Sequence, residues 1–178
     1  MKGIIFTHFI QMVEEAHGIR TVDRIIELSD LPSGGSYTAV GTYDHTEIVK
    51  LVTNLSEETS TEVPELLRQF GKYLFGHLAK SYPQFVEGVG NPLDFLGRIE
   101  GYIHVEVRKL YPDAELPRFE CRRNSPNELV MIYQSIRHFE DLCEGLIRGS
   151  LDHFGAKATI GRRQLDDERE EFLITLDA

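Results

Sequence analysis

The chain has 178 residues, with 19 lysines and arginines against 29 aspartates and glutamates and a formal net charge of −10. With 41% apolar and 27% charged residues it reads as a single globular unit, long enough to bury a sizeable core. The acidic balance argues against a general electrostatic grip on nucleic acid or an anionic membrane surface. Two cysteines, Cys121 and Cys143, make neither a CxxC pair, a four-cysteine zinc site nor a disulfide framework, and both read as buried thiols in a reducing compartment.

The opening stretch begins apolar, but His8, Gln11, Glu14 and Glu15 interrupt it well short of the roughly 18 apolar residues a membrane span needs, and no small-residue cleavage site follows. It reads as the first amphipathic helix of a cytoplasmic protein. Ile4, Ile5, Phe9, Met12, Val13 and Ala16 recur at helical spacing, with Gly18 as a stop. Val22, Ile25, Ile26 and Leu28 predict a second helix, ended by the loop 29–36. Asp44 or Thr46 caps a third, carrying Ile48, Val49, Leu51, Val52 and Leu55. A fourth starts near Thr61 with Pro64 in its first turn, and a fifth runs unbroken from Asn91-Pro92 to Leu110.

After Pro117 the pattern changes. Residues 118–123 and 128–137 read as a hairpin around Asn124-Ser125-Pro126-Asn127, a helix covers 138–154 with Gly155 beyond it, and strands at 156–163 and 170–176 close the chain. The expected fold is α+β: an N-terminal helical lobe (1–62) and a C-terminal lobe (63–178) with a four-stranded antiparallel sheet and packed helices, all one domain.

Seven histidines invite a metal search, but His17, His45, His77, His138 and His153 have no partner at ligand spacing and read as surface or helix-end residues. His8, on the face opposite the first helix's apolar stripe or at its edge, is given no role. His104 differs, because Gly97 and Gly101 precede it on its helix. Each glycine in a helix interior costs about 1 kcal/mol against alanine, so something should compensate. A flat group close to the helix, such as a porphyrin liganded by the imidazole, would do so; so would a helix–helix contact that needs small residues.

The second candidate is the strand 129–137. Side chains alternate faces along a strand, so Tyr133, Ser135 and Arg137 share one, the outer two roughly 13 Å apart at about 3.3 Å per residue. That row offers a phenol, an alcohol and a guanidinium fork to a pair of carboxylates, or else is an exposed polar face. An imidazole together with such a row is what a dicarboxylate haem requires.

These features, with the start MKGIIF, the segment GYIHVEVRKLYP, Leu116-Pro117-Arg118 and Glu144-Gly145-Leu146, resemble the H-NOX (haem nitric oxide/oxygen-binding) family, related to the haem domain of soluble guanylate cyclase. The likeness spans essentially the whole chain. It implies haem b between the lobes, His104 as the iron ligand, and Tyr133, Ser135 and Arg137 on the propionates. It also makes Pro117, thirteen residues after His104, the proline that presses on the porphyrin. Relatives that hold O2 stably place a tyrosine five residues after the motif arginine; here that position is Leu142. The distal wall expected from the resemblance is Ile5, Phe9, Leu74, Leu78, Leu142 and Leu146, with Gly101 beside the proximal histidine. Bound O2 needs a hydrogen-bond donor, whereas NO and CO do not, so NO and CO are the expected ligands. No zinc is expected, since Gly161-Arg162-Arg163-Gln164 lacks the cysteine and histidine ligands of some relatives.

The function implied is a gas sensor without enzymatic activity. It signals, through proximal histidine release and haem relaxation, to a separate effector such as a histidine kinase or a cyclic-di-GMP enzyme. The competing readings are a haem enzyme turning over NO or peroxide, which needs polar distal groups, and a haem-free interaction module.

Overall fold

The computed structural model describes residues 1–177. Helix α1 (Gly3–His17) ends at Gly18, whose φ of +84° is a conformation glycine adopts without strain. Helix α2 (Ile19–Ser29) turns back along it, and α3 (His45–Thr59) is capped by Asp44, whose side chain accepts from the Thr46 amide at 2.8 Å. Helix α4 (Val63–Ser81) opens with Pro64 in its first turn.

The predicted long helix from Asn91 to Leu110 is not continuous. Asn91 caps a short α5 (Pro92–Gly97); the chain then makes a π-helical turn over Ile99–Ile103 and resumes as α6 (His104–Leu110). The hairpin is formed by β1 (Arg118–Ser125) and β2 (Glu128–Gln134); α7 (Glu140–His153), β3 (Ala158–Gln164) and β4 (Arg169–Leu176) follow. All pairings are antiparallel, in the order β1-β2-β4-β3, so β4 inserts between β2 and β3 and joins the two predicted hairpins into one sheet.

Two apolar clusters form the interior. One gathers Phe6, Phe9 and Val13 of α1, Ile25 of α2, Leu51 and Leu55 of α3, and Leu66, Phe70 and Leu74 of α4. The other packs Phe75, α5, the inner face of β2 and β4, and Ile147 and Leu151 of α7. Helices α4 and α7 contribute to both, and they cross at two glycines. A Cβ on Gly145 would stand 2.3 Å from the Arg68 carbonyl oxygen, and one on Gly71 would stand 2.6 Å from Gly145 Cα. Only glycine permits that approach, and it brings Leu142 and Leu146 up to the face of α4 that carries Leu74 and Leu78. Among the described residues no helix is long and apolar enough to cross a membrane.

Candidate functional site

His104 is the first residue of α6, and its amide closes the π turn on the carbonyl of Ile99. One extra residue in that turn rotates everything after it by about 100° relative to α5. The spacing of Gly97, Gly101 and His104 on one ideal helix face is therefore corrected. Gly97 is the last residue of α5, and Gly101 sits exposed within the π turn. Outside their own helical backbone, nothing in the protein lies within 4 Å of where their Cβ atoms would stand, so helix–helix packing does not explain either glycine.

His104 itself is 8% exposed. Its Nδ1 lies 3.1 Å from Glu100 Oε2, and the same oxygen accepts from the Phe119 amide at 3.2 Å, while Arg108 donates to Oε1 at 3.4 Å. Burial pushes the Glu100 carboxyl up, but the His104 hydrogen bond and charge, with Phe119 and Arg108, outweigh it and hold the group below the usual carboxylate range. Burial lowers the His104 pKa against the pull of Glu100, favouring a neutral ring. An ionised carboxylate only accepts, so Nδ1 carries the proton and Nε2 keeps its lone pair for a metal. Sequence reasoning missed Glu100, although a carboxylate four residues before a histidine on one helix was a visible signal.

Tyr133 is placed by β2 and is 3% exposed; burial pushes its hydroxyl up to about 12, and that oxygen accepts from the Phe139 amide at 3.3 Å. In the register of the hairpin Phe119 faces Tyr133, and the Phe119 ring stands 5.8 Å from Tyr133 and 5.5 Å from His104. One phenylalanine thus spans the two halves of the site.

The expected strand row is corrected. β2 stops at Gln134, the Ser135 amide bonds to the Glu168 carbonyl at 3.0 Å, and Ser135–Arg137 form a turn completed by His138 at φ +55°. Ser135 Oγ accepts from the Arg137 amide at 3.1 Å, so the turn, and not alternation along a strand, gathers the serine and the arginine. The Arg137 side chain, 14% exposed, donates to the Glu115 carbonyl at 3.3 Å and to the Glu115 carboxylate.

Glu115 belongs to the loop between α6 and β1, which also carries Pro117, half-buried just before β1. Its other acid, Asp113, is held by Lys2 at 3.2 Å and by Thr42 Oγ1 at 2.8 Å, and Lys2 also lies over the Tyr111 ring at 5.2 Å. The loop leaving the histidine helix is therefore fastened to the start of α1 on one side and to Arg137 on the other.

Ile5 and Phe9 of α1, Leu74 and Leu78 of α4, and Leu142 and Leu146 of α7 all belong to, or pack against, the same apolar cluster. Phe9, Leu74 and Leu142 are buried, the other three half-buried, and none of the six side chains carries a hydrogen-bond donor. One position along, the His8 and His77 rings lie 4.9 Å apart and the His77 and Tyr73 rings 4.3 Å apart, each pair tilted, in the seam between α1 and α4; His8 Nδ1 and the Tyr73 hydroxyl are buried there without a partner. His77 is thus a half-buried seam residue and not a surface one. Cys143 is buried as expected, but Cys121 is exposed, because β1 is an edge strand; its Sγ nevertheless points at the Leu96 carbonyl, 3.7 Å away.

A neutral buried imidazole with a free Nε2, a tyrosine, serine and arginine gathered at the end of β2, and apolar side chains without donors are groups whose chemistry suits a carboxylate-bearing haem. The Haem-NO-binding family model matches residues 2–162, and the chain belongs to that family of haem-binding gas sensors. The H-NOX protein of K. algicida in the unliganded Fe(II) state is 39% identical with a TM-score of 0.94, the match covering 100% of this chain and 97% of that one. The H-NOX of Shewanella woodyi, in the Fe(II)CO state with IWP-051 bound, is 42% identical with a TM-score of 0.85, over 98% and 94% of the two chains. That of S. oneidensis in the Fe(II)NO state is 25% identical with a TM-score of 0.92 over 100% of both. No curated protein matches the chain.

Proposed function

We propose that this protein is a sensor of nitric oxide that also takes carbon monoxide, excludes O2, and signals to a separate effector protein. In this reading His104 would hold the iron of haem b through Nε2, and Tyr133, Ser135 and Arg137 would hold the propionates, with no zinc elsewhere in the chain. Haem, when bound, would supply a ferrous iron that can take a diatomic gas.

The observation that supports the choice of gas is that Ile5, Phe9, Leu74, Leu78, Leu142 and Leu146 share one apolar cluster and carry no donor, so as the distal wall they would offer nothing to the partial negative charge of bound O2. The same wall offers no acid or base for turnover, which supports a sensor over an enzyme.

Signalling is assigned to His104. His104 opens α6 and is tied to Glu100, and the loop after α6 is tied to Lys2 and Thr42 through Asp113, so a change in the hold on His104 would reach the start of α1 along these contacts. A shift of the 1–62 lobe against the 63–178 lobe would follow, with Pro117 the residue that would lie against the haem; this would be a two-state element biased by ligand. The readout passes to a partner such as a histidine kinase or a cyclic-di-GMP enzyme in the cytoplasm.

Absorption spectra of the reduced protein under argon, air and NO test the reading. A five-coordinate ferrous band unchanged by air and shifted by NO is expected. A stable oxygenated spectrum, or a protein that takes up no haem, overturns it.

A further inference from the structure

We infer that Glu100 is a positioning residue for His104, and that it sets how firmly this histidine holds its metal and so how readily it lets go. The inference rests on the reading of His104 as the iron ligand.

The geometry is specific to this pair. Glu100 lies within the π turn and His104 directly follows it, four residues on, with Oε2 3.1 Å from Nδ1. The carboxylate has a fixed place, because the Phe119 amide donates to the same oxygen at 3.2 Å from the first residues of β1, and Arg108, one turn beyond His104, reaches the other oxygen at 3.4 Å. A carboxylate that accepts the Nδ1 proton does two things to an imidazole. It fixes the ring plane and the tautomer, and it pushes electron density toward Nε2, making that nitrogen a stronger donor to a metal.

In a protein whose signal depends on losing this bond, the push raises the threshold for release. Arg108 and Phe119 draw on the same carboxylate and soften the push, so Arg108 is a counterweight whose removal strengthens the hold. At 3.4 Å the arginine contact is the weakest of the three and leaves most of the effect with Glu100.

The experiment compares the haem-loaded protein with Glu100→Gln, Glu100→Leu and Arg108→Ala by resonance Raman spectroscopy of the unliganded ferrous state. The iron–histidine stretch should fall in Glu100→Gln, fall further in Glu100→Leu, and rise in Arg108→Ala. The five-coordinate fraction of the NO-bound protein should grow as the stretch falls, and haem loss in Glu100→Gln should quicken about tenfold, as for other second-layer partners of metal ligands. Glu100→Gln keeps the shape of the side chain and serves where Glu100→Leu fails to fold. An unchanged stretch in Glu100→Gln, with haem still bound, overturns the inference.

A second readout needs no haem. Nitrogen-15 NMR of the haem-free protein should find His104 protonated at Nδ1, and that preference should weaken in Glu100→Gln. Protonation at Nε2 overturns the positioning role, whereas a protein that binds no haem yet keeps the Nδ1 proton refutes the haem reading alone.

Discussion

Replacing Arg137 by alanine would remove the guanidinium proposed to hold a propionate. A hydrogen bond to a charged group is worth about 1.5–3 kcal/mol, which at about 1.36 kcal/mol per factor of ten corresponds to roughly 10- to 150-fold faster haem loss. The side chain is only 14% exposed, so solvent screening takes little from that figure. Arg137 already bonds Glu115, however, and a propionate has to share or displace that contact, so the lower end, about tenfold, is the expected value. The competitor gives the argument a second arm. Glu115 is 78% exposed, and an exposed ion pair is worth about 0.2–1 kcal/mol, so Glu115→Gln should slow haem loss by up to about fivefold. The double variant should behave like Arg137→Ala, since Glu115 acts only through the arginine. Transfer of haem to excess apomyoglobin, followed in the Soret band, measures all four rates. Unchanged loss from Arg137→Ala, or faster loss from Glu115→Gln, refutes the reasoning.

Leu142→Tyr alone should not give a stable oxygenated protein, because Phe9 and Leu74 beside it are buried and bring no supporting donor; a persistent oxygenated spectrum in air would contradict this. Gly145→Ala places a methyl group 2.3 Å from the Arg68 carbonyl oxygen and should cost about 1–3 kcal/mol of stability by urea denaturation, with an unshifted midpoint as the contrary result. Burial, then the charge of His77, lower the His8 pKa from its ordinary 6.5. The folded protein therefore binds this proton less readily than the unfolded chain, and the stability linked to it is full above 6.5 and lost as pH falls through the folded value. Urea midpoints taken from neutrality down to about pH 5 should decline less steeply in His8→Phe, and parallel profiles for the two proteins would refute the assignment.

Much of the fold was legible because its signals are local. Gly18, Asp44, Pro64 and Asn91 mark helix ends by backbone chemistry that needs no partner, and each lies where the structure starts or stops a helix. What was not legible depended on distant contacts. β2 reads as running to Arg137 because Ile136 is β-branched, yet Ile136 is 74% exposed in a turn that the Ser135 amide makes with Glu168. The π turn before His104 leaves no mark in apolar periodicity, since a single extra residue resembles an ordinary irregularity in a helical stripe. Residue types at the site could be read, but their partners could not: Glu115 on Arg137 and Asp113 on Lys2 join segments 22 and 111 residues apart.

The most direct test of the account is the absorption spectrum of reduced His104→Gly, recorded with and without free imidazole. The account predicts that the variant loses the five-coordinate ferrous band of the parent and that imidazole, entering the space left by the side chain, restores it. A His104→Gly spectrum identical to the parent's without imidazole would show that another group holds the iron.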